Sequence, residues 1–282
     1  MLLLYTLIVL FTVTQSLSTK FYAKSSNNPY FYNAIKSFFA LPLMLLLNGF
    51  NIQFDTITLI LGITYGISLC LSMYSGYKAL QTGPMSLTSL IVSFSIVIPI
   101  LYGFIFCNES VTTYKIFGIL FLMLAIILIN TNSKKNPDTK INLKWCIFVL
   151  LTFLANGICS VIQKKHQILC PGKYAEEFMF FSMLLCAVIY ILISLKKFPL
   201  KQLLKTKGKW LGVLSTIAGT MANYLTLILV GMENASVLFP IISSGTIFTT
   251  VLCGVIVFKE NLKFNQIIAI ICGIASIFFL KI

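Results

Sequence analysis

The sequence predicts an all-α membrane protein with ten transmembrane helices in two inverted five-helix repeats. Three observations lead there: a composition too apolar for a water-soluble surface, apolar blocks long enough to span a bilayer, and a self-similarity at a shift of 150 to 151 residues. Of 282 residues, 58% are hydrophobic and only 10% charged, and the mean hydropathy is +0.95. A soluble domain of this length needs a charged surface that this chain does not have. A block of about 20 apolar residues at 1.5 Å rise spans a hydrocarbon core of about 30 Å. In lipid every backbone polar group must be satisfied within its own segment, so those blocks are helices rather than strands.

The apolar blocks place spans at 2–19, 30–48, 56–78, 84–107, 112–131, 143–165, 175–194, 209–230, 234–257 and 263–281. The first block, MLLLYTLIVLFTVTQSLS, lacks the basic start of a signal peptide and is kept as a span, since dropping it would leave the second half with an unmatched helix. A polar stretch, TNSKKNPDTKINLK, separates the halves. The chain therefore divides into a first repeat over 1–131, a linker over 132–142 and a second repeat over 143–282.

The formal charge of +14 would suggest nucleic acid in a soluble protein. Here the basic residues lie between apolar blocks, where they anchor helices and set topology, so no nucleic-acid partner is expected. Fifteen of the lysines fall in the odd-numbered connections, five in the even ones and the C-terminus, and Lys36 lies inside the second span. That bias puts the odd connections in the cytoplasm and both termini outside a plasma membrane crossed many times. All 21 basic residues are lysine, a usage expected of an AT-rich bacterial genome. The eight cysteines show no CxxC spacing and read as small buried hydrophobes.

At the repeat shift Tyr74 meets Tyr224, Ser86 meets Ser236, Gly103 meets Gly254 and Glu109 meets Glu260. Five helices is an odd number, so the second copy enters the membrane upside down relative to the first. Inverted repeats are an architecture of secondary transporters, whose site lies near the midplane between the halves.

The stretch YKALQTGPMSLTSLIVSFSIVIPILYGFIFCNESVTTYKIFGILFLMLAIILI carries, in order, a YxAL, small polar residues, Pro, Gly, Glu and Gly, and ASVLFPIISSGTIFTTVLCGVIVFKENLKFNQIIAIICGIASIFFL repeats that order. In this the chain resembles the ten-helix EamA group of the drug/metabolite transporter superfamily. The resemblance implies fold and transport class, not substrate. It also implies that spans 1, 3, 4, 6, 8 and 9 surround the substrate.

The polar side chains within the spans give the same six helices independently. Span 1 carries Thr12, Gln15 and Thr19; span 3 carries Thr64, Ser68, Ser72 and Ser75; span 4 carries Ser86, Ser89 and Ser93. In the second half span 6 carries Asn156, Ser160 and Gln163; span 8 carries Thr216, Thr220 and Asn223; span 9 carries Ser236 and Ser243. Spacings of three, four and seven gather each set on one helix face. Spans 2, 5, 7 and 10 show no comparable stripe. For any single serine, helix packing or a bond to its own carbonyl is the simpler role. For Gln15, Asn156, Gln163 and Asn223 the balance turns to a ligand, because an amide has several hydrogen-bonding groups to satisfy. Gly62-xxx-Gly66 suggests close packing, and Pro99 and Pro240 permit kinks in spans 4 and 9.

None of the seven acids lies in mid-span, and Glu109 and Glu260 read as complements to the N-termini of spans 5 and 10. The proton-exchange chemistry of small multidrug exporters, which uses an intramembrane carboxylate, has no counterpart here. Lys36 is the one ion well within a span, as a functional group or as a snorkelling side chain. The lone His166 reads as interfacial. Tyr65, Tyr74 and Tyr224 add aromatic walls, which suit amines by cation–π contact.

The expected function is a secondary transporter that moves a small amino-acid-like or cationic metabolite by rocking of the two halves, with no cofactor and no metal. Its expected partners are that small molecule and the lipid bilayer, with a homodimer left open. The alternatives are a non-transporting scaffold or sensor, and a membrane enzyme; the second would need clustered His, Asp, Glu or Cys that cannot be assembled here.

Overall fold

The computed structural model describes residues 2–25, 28–106, 112–130, 142–197, 208–232, 235–259 and 264–281. Its regular elements are eleven α-helices and one short 3₁₀ turn, with no strand among the described residues. They run α1 Leu2–Ser25, α2 Pro29–Leu47, α3 Thr56–Thr82, α4 Met85–Ser93, α5 Val97–Phe106, α6 Thr113–Asn130, α7 Leu143–Leu169, α8 Ala175–Lys197, α9 Lys209–Met232, α10 Ala235–Phe258 and α11 Phe264–Lys281. The 3₁₀ turn, Phe94–Ile96, joins α4 to α5. Each of the ten apolar blocks coincides with a helix or, for 84–107, with this broken pair. Among the described residues seven helices are long and apolar enough to cross a membrane.

Local chemistry starts the helices where the polar residues sit. Asn28 accepts the Phe31 amide at 3.1 Å, and Pro29, which needs no donor there, follows it. Asp55 accepts the Thr58 amide at 2.8 Å and opens α3. Asn142 does the same for α7 through Lys144. The break between α4 and α5 also has a sequence cause. Pro99 lacks the amide that would bond to the Ser95 carbonyl, and the ladder tightens to 3₁₀ over that stretch. Pro240 lies within α10; Glu109 and Glu260 lie outside the described residues.

The surface is that of a protein solvated by lipid. On α3, Ile60, Ile63, Ile67 and Leu71 are exposed on one stripe, while Gly62, Tyr65, Gly66, Leu69 and Ser72 are buried on the opposite one. On α7, Leu143, Ile147, Leu150, Leu154 and Ile158 repeat the pattern outward. Lipid tails match these side chains, so association of the helices rests on close packing and interhelical hydrogen bonds.

Gly62 and Gly66 supply such packing. A Cβ on Gly66 would lie 3.0 Å from the Ser182 carbonyl, so α3 and α8 approach backbone to backbone. Ser182 Oγ donates to the Gly62 carbonyl at 3.0 Å, and the Cys186 thiol donates to that of Gly66 at 3.3 Å. Cys70 and Cys186 touch at 3.1 Å between the same helices as free thiols. The helix packing also has a pairing. α3 lies along α7 as α9 lies along α1, α3 meets α8 as α9 meets α2, and α2–α8, α4–α10 and α6–α11 pair with each other. Exchanging the first five blocks for the last five leaves this set of contacts unchanged.

Candidate functional site

Halfway along the helices lies a cavity of about 320 Å³. α1 contributes Thr12, Gln15, Ser16 and Thr19; α3 contributes Tyr65, Ser72 and Tyr77; α4 and the 3₁₀ turn contribute Thr88, Ser89 and Ser95. From the other half come Thr152, Asn156, Ser160 and Gln163 of α7, Asn223 and Thr226 of α9, and Ile242 of α10. All six helices expected from their polar stripes reach this cavity, and among the described residues α6, α8 and α11 do not.

The expectation for α2 was wrong. This helix sends Tyr32, Asn33 and Lys36 into the wall. Its polar residues are few, but the three- and four-residue spacings put them on one face, opposite the exposed Phe38, Phe39, Leu46 and Leu47. Asn33 and Tyr32 were missed; an amide three residues before a lysine in an apolar block is the signal that could have found them.

Of fourteen candidate substrate contacts among the residues named from the sequence, eight line the cavity: Gln15, Lys36, Ser72, Ser89, Asn156, Ser160, Gln163 and Asn223. The other six, Tyr74, Ser75, Ser93, Thr220, Tyr224 and Ser243, do not. Ser75 bonds to the Leu71 carbonyl at 2.7 Å and accepts from Thr152 at 2.9 Å, so it ties α3 to α7. Thr220 is buried beside the wall without reaching it. Tyr74 stacks on Tyr30 at 5.4 Å, and Tyr224 donates to Glu176; of the three expected tyrosine walls only Tyr65 is one. Ser93 and Ser243 are half-buried outside the cavity. On α4 the inward face is Thr88, Ser89 and Val92, continued by Ser95 in the 3₁₀ turn, so Ser93 points elsewhere.

Hydrogen bonds tie the wall across the halves. Ser72 Oγ donates to Asn156 Oδ1 at 2.5 Å, and Gln163 Nε2 donates to the Tyr65 hydroxyl at 3.3 Å. Gln15 is packed over Gly219, where a Cβ would sit 2.7 Å from the amide carbon. At one end of the cavity Tyr22, Tyr32 and Tyr77 form a buried aromatic cluster, with the Tyr22 and Tyr32 rings 4.5 Å apart. Beyond it, Trp145 Nε1 donates to Thr88 at 3.0 Å, and Lys20 donates to the Gly83 carbonyl. At the opposite end Glu177 accepts from Asn48 Nδ2 and the Gln53 amide, each at 3.2 Å.

His166 is not exposed at the interface, as its flanking lysines suggested. It is fully buried, its ring tilted against that of Phe178 with centroids 4.5 Å apart, and with Nε2 3.3 Å from Thr58 Oγ1. No group of three or more His, Cys, Asp or Glu that could hold a metal occurs among the described residues.

A helical, multi-pass membrane protein with a hydrogen-bonding chamber between two sets of helices is the build of a membrane transporter. The chain belongs to the EamA-like transporter family, whose profile matches residues 1–131 and 143–282, and with it to the drug/metabolite transporter superfamily. A solved crystal structure superposes on it with a TM-score of 0.67 at 14% identity, over 98% of this chain and 94% of that one; this likeness concerns the fold alone. No curated protein is significantly similar in sequence.

Proposed function

We propose that the protein is a secondary transporter that carries a small organic metabolite by alternating access, its ten spans forming two inverted five-helix halves that rock about the central chamber. The observation that carries this reading is the cavity itself, walled from both halves of the chain, as substrate sites of inverted-repeat transporters are. The exchange-symmetric helix packing supports two equivalent halves. Gln15, Asn156, Gln163 and Asn223, with Ser72, Ser89 and Ser160, are the proposed substrate contacts. Between the two expected classes, an ammonium in the wall favours an amino-acid-like substrate over a cation that has no negative group. The lysine-rich end, which holds the C-terminus of α1 and the N-termini of α2, α7 and α9, faces the cytoplasm of a bacterial plasma membrane in this reading, and both termini lie outside.

The test is flux. Full-length protein in proteoliposomes is offered a panel of labelled metabolites, and thermal shift is measured alongside. Saturable, protein-dependent uptake of one class is the expected result. A panel with no flux and no shift sinks the reading in favour of a scaffold or sensor.

A further inference from the structure

Lys36 is the one formally charged side chain among the described residues that wall the cavity. It is 9% exposed, and it lies eight residues past the Asn28 cap of α2. Its ammonium is 5.9 Å from the centre of the Tyr32 ring and near the Cys186 thiol; neither carries a formal charge. Among the described residues no Asp or Glu lines the chamber. A buried ammonium is costly to desolvate unless an opposite charge accompanies it. Within a membrane such an ion marks a substrate or ion path by default. Among the described residues no counter-ion lines that place, which leaves the complementary charge to the cargo.

We infer that Lys36 anchors the carboxylate of a small monoanionic or zwitterionic metabolite. The inference rests on the transport reading above and narrows its substrate class. One ammonium neutralises one negative charge. A phosphate ester at neutral pH brings nearly two, and among the described residues the wall has no arginine or second lysine to match the remainder. A substrate that is only a cation would meet the ammonium across a low-dielectric chamber with nothing to offset the repulsion. The same cavity wall offers amides at Gln15, Asn33, Asn156 and Gln163, which donate and accept. Those groups suit a neutral polar remainder, and the ring faces of Tyr32, Tyr65 and Tyr77 suit an α-ammonium. A volume near 320 Å³ is at the small end of ligand pockets.

The experiment uses full-length protein, wild type, Lys36→Met and Lys36→Arg, in proteoliposomes and in detergent. Matched probes are small carboxylic acids and amino acids, their amides, their phosphate-ester counterparts and quaternary amines. Wild type should prefer carboxylates over the matching amides by about tenfold or more, the ratio expected for a charge-assisted hydrogen bond. Lys36→Met should lose that preference, and Lys36→Arg should keep most of it. Equal handling of carboxylates and amides, unchanged behaviour of Lys36→Met, or a preference for phosphate esters or cations overturns the inference while leaving transport intact. Carboxylate-dependent thermal shift without any flux overturns the transport reading instead and leaves Lys36 as a binding group. Absence of flux and thermal shift with every probe overturns both. Lys36→Met removes a buried charge, so a loss of its carboxylate response with retained thermal stability is not a folding failure.

Discussion

Ser72 on α3 donates a hydrogen bond to Asn156 on α7, and this pair joins the first half of the chain to the second at the wall of the chamber. On the same helix Ser160 back-bonds to the Asn156 backbone carbonyl at 3.1 Å. Replacing Asn156 with Ala leaves a serine hydroxyl facing a polar chamber, so the thermal midpoint should move by no more than the loss of one hydrogen bond, about 1 kcal/mol. The half-saturation concentration for the transported metabolite should rise about tenfold. Parallel melts and uptake curves check both; an unchanged uptake curve would remove Asn156 from the substrate contacts.

Gly157, the next residue on α7, is required for a different reason. A Cβ there would lie 2.1 Å from Ile98 Cδ1 and 2.7 Å from Ile98 Cβ, so α5 and α7 meet without room for a methyl group. Gly157→Ala should cost about 1–3 kcal/mol by overpacking, seen as a lower midpoint in thermal denaturation. Adding Ile98→Ala should recover part of that loss, because the clash lies with that side chain. A double variant less stable than the sum of the singles would contradict the packing.

Asp55 gives the fold an acid-side sensitivity. The Thr58 amide donates to its carboxylate, and that hydrogen bond, helped by the Thr58 hydroxyl, holds the acid below its usual range. A group depressed in the folded state adds stability above its unfolded value, near about 3.9 for Asp. That stability is lost as pH falls through the folded value. Asp55→Asn keeps a side-chain acceptor for the α3 N-terminus but cannot titrate. It should match wild type near neutrality and lose less as pH falls from about 5 to about 3, across the unfolded Asp value of about 3.9. Melting curves across that interval decide it; parallel acid losses in both proteins would show that the cap contributes nothing there.

Much of the chamber was legible in the sequence because helical spacing fixes which residues share a face. Asn156, Ser160 and Gln163 recur at four and three residues, and all three reach the cavity. The misreadings have physical causes too. Ser93 and Ser95 differ by the 3₁₀ turn that Pro99 imposes, which a uniform helical wheel cannot include. Tyr74 and Tyr224 matched each other in the repeat, yet both are held outside the cavity, by Tyr30 and Glu176. His166 has lysines on one side in sequence, but its partners, Thr58 and Phe178, come from α3 and α8.

What the sequence determined by itself is the lipid-facing half of the problem. Long apolar blocks can satisfy their backbones in hydrocarbon only as helices, and the position of each block and of its polar stripe follows from composition and period. What only tertiary structure decided is which polar faces meet. Whether a serine serves packing, as Ser75 does against Thr152, or lines the chamber, as Ser72 does, depends on which neighbouring helix stands opposite it. The same holds for Lys36. Its place in a span was visible in the sequence, but the absence of a carboxylate among the described residues of the chamber wall depends on side chains drawn together from seven helices and a turn.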